Sequence, residues 1–481
     1  MRWTTTCVVG AVVLSAGQLS GLQLPDTARK VLELHALIEK HGPQVGPIIW
    51  PGFRPDTIPT LYVIAHEGKV LVQWRHNWPA GFTPIRERQD AGIAGSGMVS
   101  LPSGRFISFM SVDSSMSPGL VVGTSIHEAF HSLERSVMRE GQTFGGWENA
   151  MLVGSYPVFD VENEAAFALE GKKLGQALGA GTPDAARRLA REFLALREAR
   201  QRVLDSEFTE FEKLAEMNEG LAQYALIRGL REIARLEGGA WAEAARNEAA
   251  LEAALLDSLL TLSQRSVRRR FYATGSAIAL ILDRLAGETW KARLLEENLN
   301  LQETLAAVIG YDGDTGPEIQ SRDMARMRAA AERAVNQLRT VRVSQADSIT
   351  RRPGIRITVD PTPLGRGVLQ WCGFDPQNTL QTGDGRTLHM RFLRVCAGNS
   401  VKGEFDQPVV QNDSTGIISL AVEAESLTLT AGGGRLVLVE GEASEVKDFV
   451  AEGTRMRLEA KRARVTRSGA TLRVLLLDIE R

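Results

Sequence analysis

The sequence predicts an α+β protein: a small N-terminal part containing strands, a mainly helical middle, and an all-β C-terminal domain that forms a sandwich. Three observations carry this. Between about residues 121 and 345 apolar residues recur near the helical period of about 3.6. After Arg352-Pro353-Gly354 short apolar runs alternate with glycine-rich turns, the pattern of strands. The length of 481 residues also exceeds the roughly 100–200 residues of one ordinary domain. Hydrophobic content of 43 % and charged content of 24 % are those of a globular chain able to bury a large core. Lysine plus arginine (56) nearly balance aspartate plus glutamate (58), which gives no support to a nucleic-acid partner or to electrostatic membrane binding.

In chain order, Arg2 precedes the apolar run Cys7 to Leu14 and the small residues Ser15-Ala16-Gly17. This reads as a secretory signal over residues 1–21, cleaved near Gly17 or Gly21. The run falls short of the ~20 residues needed to span a bilayer, so the expected product is exported, periplasmic or extracellular, with no integral membrane span. Residues 22–120 form the N-terminal α/β part. It has a helix at Thr27 to His41, a hairpin of Tyr62–Ala65 with Val70–Trp74, and a strand at Arg105 to Met110. Residues 121–350 form the helical unit. Leu174, Leu178, Leu189, Phe193, Leu194 and Leu196 make one stripe; Phe208, Phe211, Ala215, Leu221 and Ala222 make another. Gly179 to Asp184 breaks two helices, and Met324 to Val343 closes the unit. Residues 353–481 carry strands at Ile355–Val359, Leu427–Thr430 and Arg435–Val439, and a hairpin of Met456–Val465 with Thr471–Leu477. Cys372 and Cys396 lie in this β region. Paired, they close a loop worth about 3 kcal/mol in the chain-entropy model, in keeping with export; the alternative is two buried thiols.

The segment His127-Glu128-Ala129-Phe130-His131 is H-E-x-x-H. On a helix, residues four apart share a face, so both imidazoles can bind one Zn²⁺ while Glu128 takes the proton of the attacking water. A third ligand is needed, and two segments offer one. Glu219, in Glu216-Met217-Asn218-Glu219-Gly220, lies in an amphipathic pattern just before the packed residues Leu221 and Ala222, where a carboxylate is costly unless paired or metal-bound. Gly220 there leaves room for another backbone, and Gln223 can hydrogen-bond a ligand. Glu162 and Glu164 are the other candidates, but acidic residues at a helix start are ordinary.

These residues resemble the gluzincin metallopeptidases, in particular the aminopeptidase-N-like and glycyl-aminopeptidase-like branches. The resemblance rests on H-E-x-x-H followed by Asn218-Glu219-Gly220 and by Phe271-Tyr272-Ala273-Thr274-Gly275. It implies a zincin-like catalytic unit, Glu219 as third zinc ligand and the Tyr272 hydroxyl as oxyanion donor. The gap from His131 to Glu219 is longer than in those branches and implies an inserted helical hairpin over about residues 160 to 205. No G-x-M-E-N segment precedes the motif, and Gly95-Ser96-Gly97-Met98-Val99 lacks its acidic residue, so aminopeptidase specificity is not implied.

The expectation is an exported zinc peptidase acting on a peptide or protein substrate, with His127, His131 and Glu219 as ligands, Glu128 as general base and Tyr272 holding the oxyanion. The alternative is an exported binding protein with a structural or vestigial zinc and no hydrolase activity. Arg268-Arg269-Arg270 reads as a solvated helix start, and His35, His41, His66, His76 and His389 have no assigned role. Metal analysis separates the ligand candidates: Glu219→Ala is expected to empty the site, and Glu164→Ala to leave it filled.

Overall fold

The computed structural model describes residues 26–66, 69–74, 87–88, 96–100, 106–112, 115–258, 267–313, 321–365 and 367–477. The expected signal, residues 1–21, lies outside them, as does His76. Contacts divide the described chain into two compact units. One is drawn from 1–148, 169–259 and 270–320, the other from 149–168, 260–269 and 321–481.

The first part of the chain runs α1 (Asp26–Ile49), β1 (Thr60–His66), β2 (Lys69–Trp74), β3 (Glu87–Arg88), β4 (Ser96–Ser100), β5 (Phe106–Val112) and α2 (Pro118–Val137). Then follow α3 (Val161–Leu178), α4 (Pro183–Gln201), α5 (Ser206–Ala215), a π-helical turn (Glu216–Gly220), α6 (Leu221–Leu236) and α7 (Gly239–Ala253). After these come α8 (Arg269–Ala286), α9 (Thr289–Glu296), α10 (Leu301–Ile309) and α11 (Ser321–Thr350).

The five strands of the first unit pair in the order β3-β2-β1-β5-β4. The expected hairpin is present, from Leu61 opposite Trp74 to His66 opposite Lys69; β1 and β5 are parallel. Helix α1 runs beyond the expected His41, through Pro43 and Pro47. Both prolines are exposed, while Val45, Ile49 and Trp50 are buried. The apolar face thus outweighs the hydrogen bonds that proline forgoes. Thr182 caps α4 by accepting from the Ala185 amide (3.2 Å), at the expected break.

Helix α2 starts at Ser117, whose hydroxyl accepts the Leu120 amide at 3.0 Å, a standard N-cap. Glycines let it lie close to α6: a Cβ at Gly123 would meet Leu226 Cγ at 2.9 Å, and one at Gly229 would meet Ile126 Cδ1 at 2.7 Å. On its inner side Phe130 makes edge contacts with Trp50 and Phe53, at centroid separations of 5.7 and 5.3 Å. The start of α6 meets α8 more closely still. A Cβ on Gly220 would lie 2.6 Å from Gly275 Cα, so two backbones touch there, as expected from Gly220.

The second unit is β-rich. Its strands are β6 (Ile355–Asp360), β7 (Gln370–Phe374), β8 (Thr379–Gln381), β9 (Arg386–His389), β10 (Leu393–Ala397), β11 (Val401–Phe405), β12 (Val409–Asn412), β13 (Ile418–Val422), β14 (Thr428–Ala431), β15 (Gly434–Arg435), β16 (Ala443–Gly453), β17 (Met456–Ser468) and β18 (Thr471–Leu476). They form one branched, nearly closed 13-stranded sheet in place of the two sheets of a sandwich. The long strand β17 is the reason. One edge pairs with β16; the other pairs first with β11 and then with β18, so a single strand joins what would be two sheets. Cys372 and Cys396 are disulfide-bonded between β7 and β10, at a bulge where the pairing register skips Cys372. The strand expected at Arg435–Val439 ends at Arg435, leaving Val437 and Val439 exposed. Helix α11 extends beyond the expected Val343 because Ala346 and Ile349 continue its buried stripe onto Leu380, Leu388 and Val410.

The glycine crossing gives a direct test. A methyl at Gly275 would lie 2.7 Å from Gly220 Cα and 2.8 Å from the Glu216 carbonyl oxygen. Gly275→Ala is expected to cost about 1–3 kcal/mol in urea denaturation. Gly181→Ala, with nothing within 4 Å of the added methyl, stays within about 0.5 kcal/mol.

Candidate metal centre

Helix α2 places His127, Glu128 and His131 on its buried side. The π turn places Glu219 opposite them, also buried. His131 Nε2 lies 3.1 Å from His127 Nε2 and 3.4 Å from Glu219 Oε2, while His127 Nε2 lies 3.2 Å from the same oxygen. Three donor atoms from two elements thus form a compact triangle, a group that can hold a metal ion. Without a proton or cation between them, these lone pairs repel one another in a site with little water to screen them.

The sequence candidates separate clearly. Glu219 completes the triangle; Glu162 and Glu164 are not in it. Glu162 is largely exposed and pairs with Arg328 at 2.7 Å, as an ordinary residue of a helix start would. Glu164 is buried and lies 3.4 Å from the Asn163 amide nitrogen. Glu128 is buried, and its Oε2 has no hydrogen-bond partner among the described residues. The Tyr272 ring lies nearly parallel to that of His127, 5.6 Å between centroids and 12° between planes. Gln223 donates to Glu252 at 2.6 Å, so its amide hydrogen serves α7. Arg270, expected to be solvated, is wholly buried.

Two features escaped the sequence reading. One is Glu134, whose Oε2 accepts from His131 Nδ1 at 2.8 Å; its position three residues beyond His131 puts it on the same helix face and was the available signal. The other is a buried charge network behind the π turn. Arg197 makes a two-pronged pair with Glu216, both bonds 2.8 Å, and donates to Glu170 at 3.0 Å. Arg200 joins Glu170 to Glu212 at 2.5 and 2.7 Å, and Thr274 donates to Glu216. Burial pushes the Glu216 carboxyl up, opposed by Arg197 and Thr274, which favour its ionised form. Nothing in the local sequence marks these arginines as buried. A pair so placed is strongly destabilising to break, about 3–5 kcal/mol. It fixes the turn, a rare backbone form found often at functional sites, and so fixes Asn218 and Glu219. Asn218 itself donates to the buried Glu148 at 2.7 Å.

Comparison with protein-family models, characterised proteins and solved structures returns no match. The resemblance to gluzincins therefore rests on the motif residues alone.

The electrostatics predict the pH dependence of metal binding. Burial disfavours a charge on His131, but the Glu219 charge and the hydrogen bonds to Glu134 and Glu219 outweigh it and raise its pKa well above the usual 6.5. In the metal-free protein His131 is thus protonated near neutral pH, and it must lose that proton to ligate. Titration calorimetry in buffers of different ionisation enthalpy is expected to find about one proton released per ion bound near pH 7, with affinity falling about tenfold per unit as pH drops below the raised pKa.

Proposed function

We propose that the protein is an exported zinc-dependent peptidase of gluzincin type. The observation that carries this reading is the triangle of His127, His131 and Glu219 with the Glu128 carboxylate beside His127 in the chain, its Oε2 without a hydrogen-bond partner among the described residues. Two imidazoles and a carboxylate suit zinc, and ligands about 2.0–2.1 Å from a tetrahedral ion sit about 3.3–3.4 Å apart. The observed separations of 3.1, 3.2 and 3.4 Å fit this. Nitrogen donors disfavour calcium or magnesium, which take oxygen ligands. The disulfide between Cys372 and Cys396 is in keeping with an oxidising compartment, and no helix among the described residues is long and apolar enough to cross a membrane.

When bound, zinc supplies a Lewis acid for a substrate carbonyl and lowers the pKa of water toward about 7. The chain's own residues do the rest. Glu128 accepts the proton of the attacking water at its free Oε2 and returns it to the leaving amine nitrogen. The Tyr272 hydroxyl, on a ring held against His127, donates to the developing oxyanion, a role in which loss of one donor costs about 10²–10³ in kcat. His127, His131 and Glu219 fix the ion, and the buried surroundings strengthen each of these interactions.

Glu128→Gln is expected to keep a full zinc complement and lose cleavage of a peptide library; Tyr272→Phe is expected to lower kcat about 10²–10³-fold with KM little changed. A wild-type protein that holds zinc stoichiometrically and cleaves no peptide overturns the peptidase reading in favour of an exported binding protein with a structural ion.

A further inference from the structure

The mechanism above leaves one buried carboxylate of α2 without a task. Glu134 is wholly buried. Its hydrogen bond to His131 Nδ1, 2.8 Å, uses Oε2, whereas Oε1 has no partner among the described residues. A buried carboxylate that serves packing or a helix terminus is normally satisfied by several donors, because an unpaired charge in a dry site is costly. Glu134 instead has its one described hydrogen bond to a member of the metal-binding triangle. A cation bound on the far side of the imidazole would compensate its charge.

We propose that Glu134 is a positioning residue of the metal centre, so that the working motif is His127-Glu128-x-x-His131-x-x-Glu134. This rests on the metal-binding reading of the triangle and deepens it. By accepting the Nδ1 proton, Glu134 fixes the tautomer in which Nε2 carries the free lone pair. It also sets the ring plane, so that this lone pair points at the place shared with His127 Nε2 and Glu219 Oε2. Through the imidazole it makes His131 a stronger donor, and its charge offsets that of a divalent ion. Partners of this kind, once removed, typically lower metal affinity about 10–100-fold. Helical geometry explains why the residue is found at this offset: three residues beyond His131 is a neighbouring position on the same face, and both side chains lean back toward the helix N-terminus.

The test compares wild type, Glu134→Gln and Glu134→Ala as full-length proteins, with zinc affinity measured by competition against a chromophoric chelator. Cobalt(II) spectra report the ligand geometry, and thermal melts are recorded with and without metal. Glu134→Ala is expected to bind zinc about 10–100-fold more weakly and to change the cobalt spectrum. Glu134→Gln, whose amide oxygen can still accept the Nδ1 proton, is expected to recover part of the affinity and the wild-type spectrum. Metal-free melts report what Glu134 contributes to stability apart from the metal, as the partner of protonated His131. Wild-type affinity and spectrum in both variants overturn the proposal while leaving the metal centre in place. So does a metal-free Glu134→Gln that melts well below wild type but retains its zinc affinity, the signature of a purely structural carboxylate. A wild-type protein that takes up neither zinc nor cobalt overturns the metal-binding reading itself, and this proposal with it.

Discussion

The contact on which the site depends is the touching of two backbones at Gly220 and Gly275. Glu219 precedes one of these glycines and Tyr272 lies three residues before the other, so a single close approach sets the distance between the turn that carries Glu219 and the helix that carries Tyr272. Any side chain at either position would meet main-chain atoms at 2.6–2.8 Å, which are not free to rotate away. Two further close approaches, at Gly123 and Gly229, seat α2 against α6. The histidines and Glu219 therefore meet because helices pack through glycine, not because any one side chain reaches across a gap.

That arrangement concentrates charge in a dry interior. Glu128, Glu134, Glu148, Glu216 and Glu219 are all buried, and of the positive groups Arg197 answers Glu216 directly. A cation held at the triangle would offset part of this negative charge. The Arg197–Glu216 pair and the Arg200 bonds behind it have another effect. They hold the π turn in a backbone form it would not keep in isolation, and the turn presents Glu219 to the histidines.

The β-rich unit has its own logic. Its sheet stays in one piece because β17 is long enough to pair with β11 and β18 along one edge and with β16 along the other. It also takes in residues 149–168, where the Gln381 amide donates to the Tyr156 and Val153 carbonyls at 2.8 and 3.3 Å, and the Phe159 ring packs on Gly383. These residues follow Glu148, the hydrogen-bond partner of Asn218.

The sequence by itself determined whatever depends on short-range periodicity: the pairing of His127 with His131 on one turn, the break before α4, the β1–β2 and β17–β18 hairpins, and the change from helical to strand texture near Pro353. Spacing along one helix is fixed by its pitch, so these were legible without any neighbour. It also favoured Glu219 over Glu164, since a carboxylate beside a packed stripe demands a partner whereas one at a helix start does not. Only the tertiary structure decided the rest. The burial of Arg197, Arg200 and Arg270, the partnership of Glu134 with His131, the passage of α1 through two prolines and the joining of the C-terminal strands into one sheet all arise from contacts between residues far apart in the chain or from burial. A charged residue on a helix has the same local pattern whether it faces water or a buried counter-ion, and only packing separates the two.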